Sequence, residues 1–294
     1  MSEYAGDKGW MPDLKQVRAV AEKEFMDNVR GKWVLTLSLI FIILSLVVSY
    51  FGATQSGGAA GLQGFRATGA GLTGLAGTLV PILALMLTYA TIAGERESGA
   101  LQLLLTMPVT RLEVVLGKLA GLSAVMGVSI FAGLGTAGII IAALAGTEGW
   151  AAYLGLIFGT LLFAISFAAV GLFFSTLVAK RSTALGLAVF LWFFFTIIYQ
   201  LVMFGLAALG GVALDFTPGG GPIVFPGWWW ATDLANPGES MSLFASRTLE
   251  FADVGGIQFA YPDWATAGLA VVVMLVWAIV PTVLAILRVR KQDL

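Results

Sequence analysis

The chain has 294 residues, of which 59% are hydrophobic and only 11% are charged, with 16 basic and 17 acidic side chains. A soluble domain carries about 25% charged residues, so this composition excludes an ordinary soluble protein and indicates an integral membrane protein. There is no Cys and no His, which removes disulfides, thiol chemistry and the usual zinc, copper and haem ligand sets. A metal site would need Met and carboxylates, and we predict none.

Six segments free of Asp, Glu, Lys and Arg are long enough to cross a bilayer core, which needs about 20 apolar residues per helix. Such continuous apolar runs lack the alternation of a membrane β-barrel, so the spans are predicted to be helical. The expected fold is an all-α integral membrane protein, with an amphipathic segment 1–32 before a six-span domain 33–294. The spans are predicted at about 33–51, 72–93, 119–145, 151–178, 182–212 and 265–287.

Basic residues are distributed unevenly between the two sets of connecting segments. The segments on one face carry 14 Lys or Arg, whereas those on the other carry only Arg66 and Arg247. Cytoplasmic loops are enriched in basic residues, so this count predicts a multi-pass cell-membrane protein with both termini in the cytoplasm.

The segment 1–32 is rich in both charge signs, and we do not predict a signal peptide there. Asp13 and Gln16 are placed to begin a helix with a capping-box-like arrangement, and apolar residues follow at helical spacing. We expect this helix to lie on the cytoplasmic membrane surface against lipid; a solvated helix leading into the first span is the alternative. The apolar positions are Leu14, Val17, Ala21 and Phe25.

The last outside loop, 213–264, is about 50 residues long, and loops of that length without a function are uncommon. It includes a predicted short helix over 241–251 and is a candidate surface for an extracytoplasmic partner. Trp228, Trp229 and Trp230 are expected at the outer headgroup level, where indole rings are favoured; a specific binding role is the alternative.

The energy source for any transport is predicted to lie outside the bilayer. Carriers and pumps commonly place ionisable side chains in their spans, and the six predicted spans contain none. A sodium site built from carbonyls and hydroxyls is the remaining alternative. The chain also lacks a G-x-x-x-x-G-K-[ST] phosphate loop, so it is predicted to be non-catalytic, with no cofactor of its own.

The segment 94–111 is highly charged, although it lies between two apolar spans. Its spacing predicts a short helix from Glu95 to Leu105 that ends at Pro108. Thr110 and Glu113 match a capping box, so the next helix should begin at about Arg111. A short amphipathic helix between two spans is a lever for a soluble partner; a capped hairpin with charged ends is the alternative.

The run ERESGALQLLLTMPVTRLEVVLGKLAG, residues 95–121, resembles the first cytoplasmic loop of six-helix ABC exporter permeases of the ABC-2 type. The usual pattern there is close to E-R-E-x-G-T-L-x-x-L-L-x-x-P-V-S-R followed by G-K. Ala100 and Thr110 replace the common Thr and Ser. The matching residues are Glu95, Arg96, Glu97, Gly99, Leu101, Leu104, Leu105, Pro108, Val109, Arg111, Gly117 and Lys118.

This resemblance implies a type V ABC transporter-like fold in which the loop is a coupling helix that docks on a separate ATPase subunit. ATP and Mg would be bound by that ATPase. Glu95, Arg96, Glu97 and Arg111 would make the charged contacts, and apolar contacts would come from Leu101 and Leu104. The permease is expected to pair with itself or with a sister permease, and no nucleic-acid partner is expected.

Within the family the chain is most similar to the branch of permeases from nitrous-oxide-reductase maturation transporters, including the NPGESMSLF stretch at 236–244. That branch is often described as copper-related, but the absence of Cys and His gives no support for a copper path. A sulfur species, a lipid, a peptide or a drug is equally open as substrate.

Small residues allow close helix approach, so Gly117 with Gly121 and Gly155 with Gly159 are candidate helix-packing faces, including at a dimer interface.

Two other function classes remain open. One is a mechanical relay, in which ATP hydrolysis rearranges the outside loop and its partner without transport. The other is an ATP-independent channel or carrier.

Overall fold

The computed structural model describes residues 12–55, 64–100, 109–212, 224–250, 253–254, 257–258 and 261–291. The described part is almost entirely helical, with one antiparallel pair of two-residue strands, β1 (Asp253–Val254) and β2 (Ile257–Gln258), inside the last loop. The helices are α1 (Leu14–Arg30), α2 (Trp33–Gln55), α3 (Phe65–Thr88), α4 (Ala93–Glu97), α5 (Arg111–Ala145), α6 (Trp150–Leu177), α7 (Arg181–Phe193), α8 (Tyr199–Leu209), α9 (Gly227–Asp233), α10 (Pro237–Leu249) and α11 (Ala267–Arg290).

Six stretches of the described chain are long and apolar enough to cross a membrane, which is the number predicted from the sequence. The fifth combines α7 and α8 through a π-helical turn, Phe194–Ile198. The six are Trp33–Phe51, Gly71–Glu97, Arg111–Ala145, Trp150–Leu177, Arg181–Leu209 and Ala267–Arg290.

The fourth span, α6, is the centre of the bundle. Of its most apolar stretch 72% is buried, whereas only 17% of the corresponding stretch of the fifth span is buried. Its side chains Phe163 and Phe167 are almost fully enclosed, and α6 packs against α3, α5, α10 and α11. The other spans therefore surround α6 and expose their outer faces.

Both ends of the described chain lie at the same end of the bundle. The backbone N–H of Asp13 donates to Glu113 at the start of α5, and Arg111 donates to the carbonyls of Val289 and Arg290 at the end of α11. We call this the terminal end, and it is the face for which the charge count predicts the cytoplasm. The opposite end is the hairpin end, because the α9–α10 hairpin lies there.

The helix α1 packs along α5 and has a second apolar surface that stays exposed. Asp13 caps its first turn by accepting a hydrogen bond from the N–H of Lys15. Leu14, Met26 and Val29 are between 38% and 77% exposed. These exposed apolar side chains are suited to a lipid contact. They differ from the predicted lipid-facing set, because Val17, Ala21 and Phe25 are half-buried and lie toward α5 and the core.

The α9–α10 hairpin, residues 227–249, folds back between the spans. The Trp277 indole N–H, near the middle of α11, donates to the carbonyl of Ala235 at the hairpin tip, and the Asn236 amide donates to the carbonyl of Phe195 in the π turn. The tip therefore lies beside the middle of two spans. Asn236 also caps α10 with Pro237 at its first position, so α10 begins earlier than the predicted 241.

The tryptophan prediction is wrong for two of its three residues. Trp228 is 51% exposed, but Trp229 and Trp230 are 2% and 3% exposed and pack with Phe225 in a buried cluster. The fold-back of the hairpin encloses them, so they contact protein and not headgroups.

The predicted helix over 95–105 is also interrupted. The helix α4 ends at Glu97, and Gly99 follows with φ of +75°, a left-handed conformation that glycine adopts without steric cost. Residues 101–108 lie outside the described part of the chain. The predicted capping box at the next helix is confirmed, because Thr110 and Glu113 form both of its hydrogen bonds.

Candidate functional site

A buried lysine joins three segments at the terminal end. The side chain of Lys118, on α5, is 2% exposed, and its Nζ lies 3.0 Å from Glu24 Oε2 and 2.7 Å from Glu95 Oε1. Glu24 belongs to α1 and Glu95 to α4. An unpaired buried ammonium would cost on the order of several kcal/mol, which two carboxylates offset. We call these three residues the Lys118 cluster; it holds α1 and α4 to α5.

A third carboxylate at this end, Glu113, binds the residues that cap two helices. Glu113 is 1% exposed, its Oε2 accepts from the N–H of Thr110 at 2.7 Å, and its Oε1 accepts from the N–H of Asp13 at 2.8 Å. The same side chain therefore fixes the start of α5 and the approach of the N-terminal segment.

The two charged residues that follow Glu95 reach the ends of the neighbouring spans. Arg96 donates to the carbonyls of Thr176 and Val178, where α6 ends, at 3.4 and 3.2 Å. Glu97 accepts from the backbone N–H of Arg181, where α7 begins, at 2.7 Å. The segment before residue 101 is thus joined to the connection between the fourth and fifth spans.

Arg111, on the other side of the 101–108 segment, donates to the carbonyls of Val289 and Arg290 at 2.9 and 3.0 Å. The predicted charged coupling residues therefore all have contacts within the chain, and their role in ATPase docking stays a prediction. The remaining predicted coupling residues, Leu101, Leu104 and Pro108, lie outside the described residues.

The first glycine pair faces α1. A Cβ atom at Gly117 would lie 2.6 Å from Cβ of Val20 and 2.8 Å from the carbonyl oxygen of Val17, and one at Gly121 would lie 2.6 Å from the carbonyl oxygen of Ala21. These distances are shorter than van der Waals contact, so the glycines let α1 approach the backbone of α5 next to the Lys118 cluster.

The second glycine pair faces the hairpin. A Cβ atom at Gly155 would lie 2.8 Å from Cγ2 of Thr248, and one at Gly159 would lie 2.5 Å from the ring of Phe244. Both glycine pairs therefore pack against helices of the same chain. Their use at a dimer interface stays a prediction.

A cavity of about 290 Å³ lies at the hairpin end, between α3, the fifth span and the hairpin. Two carboxylates line it: Asp233, at the end of α9, is 2% exposed, and Glu239, in the first turn of α10, is half-buried. The amide nitrogen of Gln200 donates to Glu239. The hairpin thus brings two acidic side chains from the hairpin end of the bundle inward, between the spans.

The environment keeps this pair partly protonated. Burial, followed by the charge of Glu239, raises the pKa of Asp233 to about 9, and hydrogen bonding to Gln200 offsets only part of the effect. Burial raises the pKa of Glu239 to about 7. Because like charges this close titrate together, the pair holds a proton at neutral pH.

This cavity was missed from the sequence. Asp233 and Glu239 fall in the segment assigned to an outside loop, so a search for charges within the spans could not find them. The signal that was available is the apolar GWWWATDLANPG run at 227–238, which is more hydrophobic than a solvated loop requires and could have indicated a segment that folds back into the bundle.

The class of protein follows from a family comparison together with these features. The model of the ABC-2 family of transporter proteins matches residues 18–294. The chain therefore belongs to this family, as the resemblance of residues 95–121 indicated, and it is a multi-pass membrane permease of an ABC transporter.

Two relatives extend the match over most of the chain. The "Probable ABC transporter permease protein NosY" of Pseudomonas aeruginosa is 35% identical over 246 residues, which cover 82% of this chain and 85% of that protein. The protein of the same name from Stutzerimonas stutzeri is 37% identical over 201 residues, covering 67% of this chain and 72% of that protein.

Proposed function

We infer that the chain forms the membrane path of an exporter and couples it to ATP hydrolysis by a separate ATPase subunit, which binds the ATP and Mg. In this proposal two permeases, identical or sister chains, assemble in the cell membrane with their termini in the cytoplasm. The ATPase would dock on residues 94–111. Family membership supports the ATPase partner, and export follows the family pattern.

The observation that carries the proposal is the set of contacts around 94–111. Glu95 reaches α1 and α5 through Lys118, Arg96 and Glu97 reach the connection of the fourth and fifth spans, and Arg111 reaches the end of the sixth. A displacement of this segment would therefore move the ends of several helices together. That is the mechanical property that a coupling segment needs.

The test is co-purification of the solubilised chain with candidate ATPase subunits. We expect a stoichiometric ATPase with the native chain and its loss in a Glu97→Lys, Leu101→Asp double variant. Because Glu97 also contacts Arg181 within the chain, its substitution could disturb the fold. The single variant Leu101→Asp is therefore tested as well, and it should also lose the ATPase. The matched control is Glu22→Lys, which reverses an exposed charge on α1. If no ATPase binds a folded native chain, a channel or carrier becomes the better explanation.

A mechanical relay is the second candidate, and the packing of the hairpin favours it. The helix α10 contacts α3, α6 and α11, so movement of the spans would be carried to the outer surface. A relay needs α10 to move against α6 during ATP turnover. It also predicts that deleting 213–264 abolishes function while ATPase binding persists.

The absence of Cys makes that movement directly measurable. The variant Gly155→Cys, Thr248→Cys places two thiols at a close contact between α6 and α10. With the ATPase bound, a relay predicts that the rate of disulfide formation changes when ATP is added. An identical rate with and without ATP would count against the relay.

A further inference from the structure

The cavity beside the hairpin has the lining of a ligand site. Five aromatic side chains, two carboxylates and several hydroxyl groups face it, and the described lining residues include no Lys or Arg. Its volume of about 290 Å³ is close to the lower end of small-molecule pockets, about 300 Å³. The aromatic residues are Phe195, Phe204, Trp229, Trp230 and Tyr261.

Two buried oxygen atoms in this lining have no hydrogen-bond partner among the described residues. One is Oδ1 of Asp233, a residue that is only 2% exposed. The other is Oγ1 of Thr196, in the π turn of the fifth span. An unsatisfied buried polar atom costs about 1–3 kcal/mol, so native proteins keep few of them, and they are found where a ligand or water completes the site.

A π turn places one of these atoms. The turn Phe194–Ile198 interrupts the regular helix, and such turns occur frequently at functional sites. Here the carbonyl of Phe195 accepts from Asn236 at the hairpin tip, and Thr196 faces the cavity. The irregular backbone therefore both anchors the hairpin and presents a free hydroxyl to its interior.

The chemistry of the lining selects the ligand. Two carboxylates favour a positively charged ligand, and aromatic faces attract cations. The unpartnered oxygens of Asp233 and Thr196 can accept hydrogen bonds from N–H donors. A hard divalent ion would need six or more oxygen ligands at about 2.0–2.6 Å, whereas much of this wall is aromatic carbon. We propose that the cavity binds an organic ammonium ion, with Asp233 and Glu239 pairing the charge and Thr196 accepting a hydrogen bond.

Protons compete with this ligand for the same carboxylates. The titratable groups on the elements around the pair are Tyr199 on α8 and Tyr261 before α11, and burial raises the pKa of Tyr261 to about 12, so it stays neutral. The guanidinium of Arg247, on α10, is directed to the carbonyls of Ala265 and Pro262. Affinity is therefore expected to rise with pH as the pair loses its proton, while the ligand remains protonated.

The experiment uses the full chain in nanodiscs of neutral phosphatidylcholine, without an ATPase, and measures calorimetric binding of three probes at about pH 8. The probes are ethylammonium, 2-phenylethylammonium and tetraethylammonium, with 2-phenylethanol as the neutral counterpart. We expect saturable binding of at least one N–H-bearing ion. In Asp233→Asn the affinity should be at least about tenfold weaker, because an amide cannot give up a proton and pair with the bound ammonium as a carboxylate.

Glu148→Gln is the matched control, since Glu148 is an exposed carboxylate in the turn between α5 and α6 and its neutralisation should leave binding unchanged. Glu239→Gln repeats the test if Asp233→Asn does not fold, as judged by its elution profile. The proposal would be overturned if no ion showed saturable binding or if the native chain and a folded Asp233→Asn or Glu239→Gln chain bound the ions equally. Binding of 2-phenylethanol as strong as that of the ions would also overturn it. Because no ATPase is present, the result is independent of the proposed coupling.

Discussion

The two ends of the bundle differ in whether their buried charged side chains have oppositely charged or hydrogen-bonding partners in the chain. At the terminal end, the Lys118 ammonium lies between two carboxylates and Glu113 accepts from two backbone N–H groups. At the hairpin end, Asp233 and Glu239 share Gln200 and face a cavity, and no described cation lines it. A charge with partners built into the chain fastens elements together, whereas acidic groups without a cation are available to a proton or a ligand.

Removing the central cation is expected to give the largest effect. Lys118→Met keeps most of the length of the side chain but leaves Glu24 and Glu95 facing each other without their shared cation. Breaking a buried pair costs about 3–5 kcal/mol, and because both carboxylates are partly exposed we expect the low end of that range. Chemical unfolding of the purified chain would measure the loss of stability.

The control is a variant that removes all three charges together, Lys118→Met with Glu24→Gln and Glu95→Gln. It should recover most of the lost stability, because the damage comes from unpaired charge and not from lost packing. A combined variant as unstable as Lys118→Met alone would show that the lysine stem, and not its charge, holds α1 against α5.

At the hairpin end the corresponding change should be smaller and opposite in sign. The pKa of Asp233 is raised in the folded chain, so the folded state binds its proton more tightly than the unfolded state does. The resulting stabilisation is fully present below the ordinary carboxyl pKa and is lost as pH rises through about 9. The unfolding midpoint of Asp233→Asn should therefore fall less steeply with pH than that of the native chain. Near pH 9 the midpoint of the variant should lie a few degrees above the native midpoint.

The comparison variant for this measurement is Glu148→Gln, which should keep the native slope of midpoint against pH. If Asp233→Asn also keeps the native slope, the proton is not held at Asp233. The hairpin end would then resemble the terminal end, with its carboxylates satisfied in some other way.

The terminal end was more predictable than the hairpin end, for a physical reason. A capping box and an E-R-E run are local patterns, so Thr110, Glu113 and Glu95 could be placed on helix ends from spacing alone. The contact of Glu95 with Lys118 joins residues 23 positions apart, and that of Lys118 with Glu24 joins residues 94 apart, which spacing could not show.

The hairpin was not predictable in the same way, because its position depends on contacts far along the chain. Asn236 reaches Phe195, and Trp277 reaches Ala235. The apolar run at 227–238 indicates a segment that is not fully solvated, but it does not show which spans the hairpin contacts or how deeply it inserts. Only the three-dimensional fold moves Asp233 from an outside loop into the wall of a cavity.

The smallest effect is expected at a charge pair that lies on the same helix as Glu24 but faces outward. Arg18 and Glu22 are 2.6 Å apart, with side chains 80% and 60% exposed. Exposed pairs of this kind contribute little, because water solvates both charges and the side chains lose freedom when they pair. Arg18→Ala should leave the unfolding midpoint in detergent unchanged within error.

A drop in the midpoint that occurs only in anionic liposomes would instead show that Arg18 contacts lipid headgroups, because the attraction of a basic residue to such a surface is lost with the charge. Arg18 would then belong to the membrane contact of α1, while the Lys118 cluster holds the same helix to the bundle.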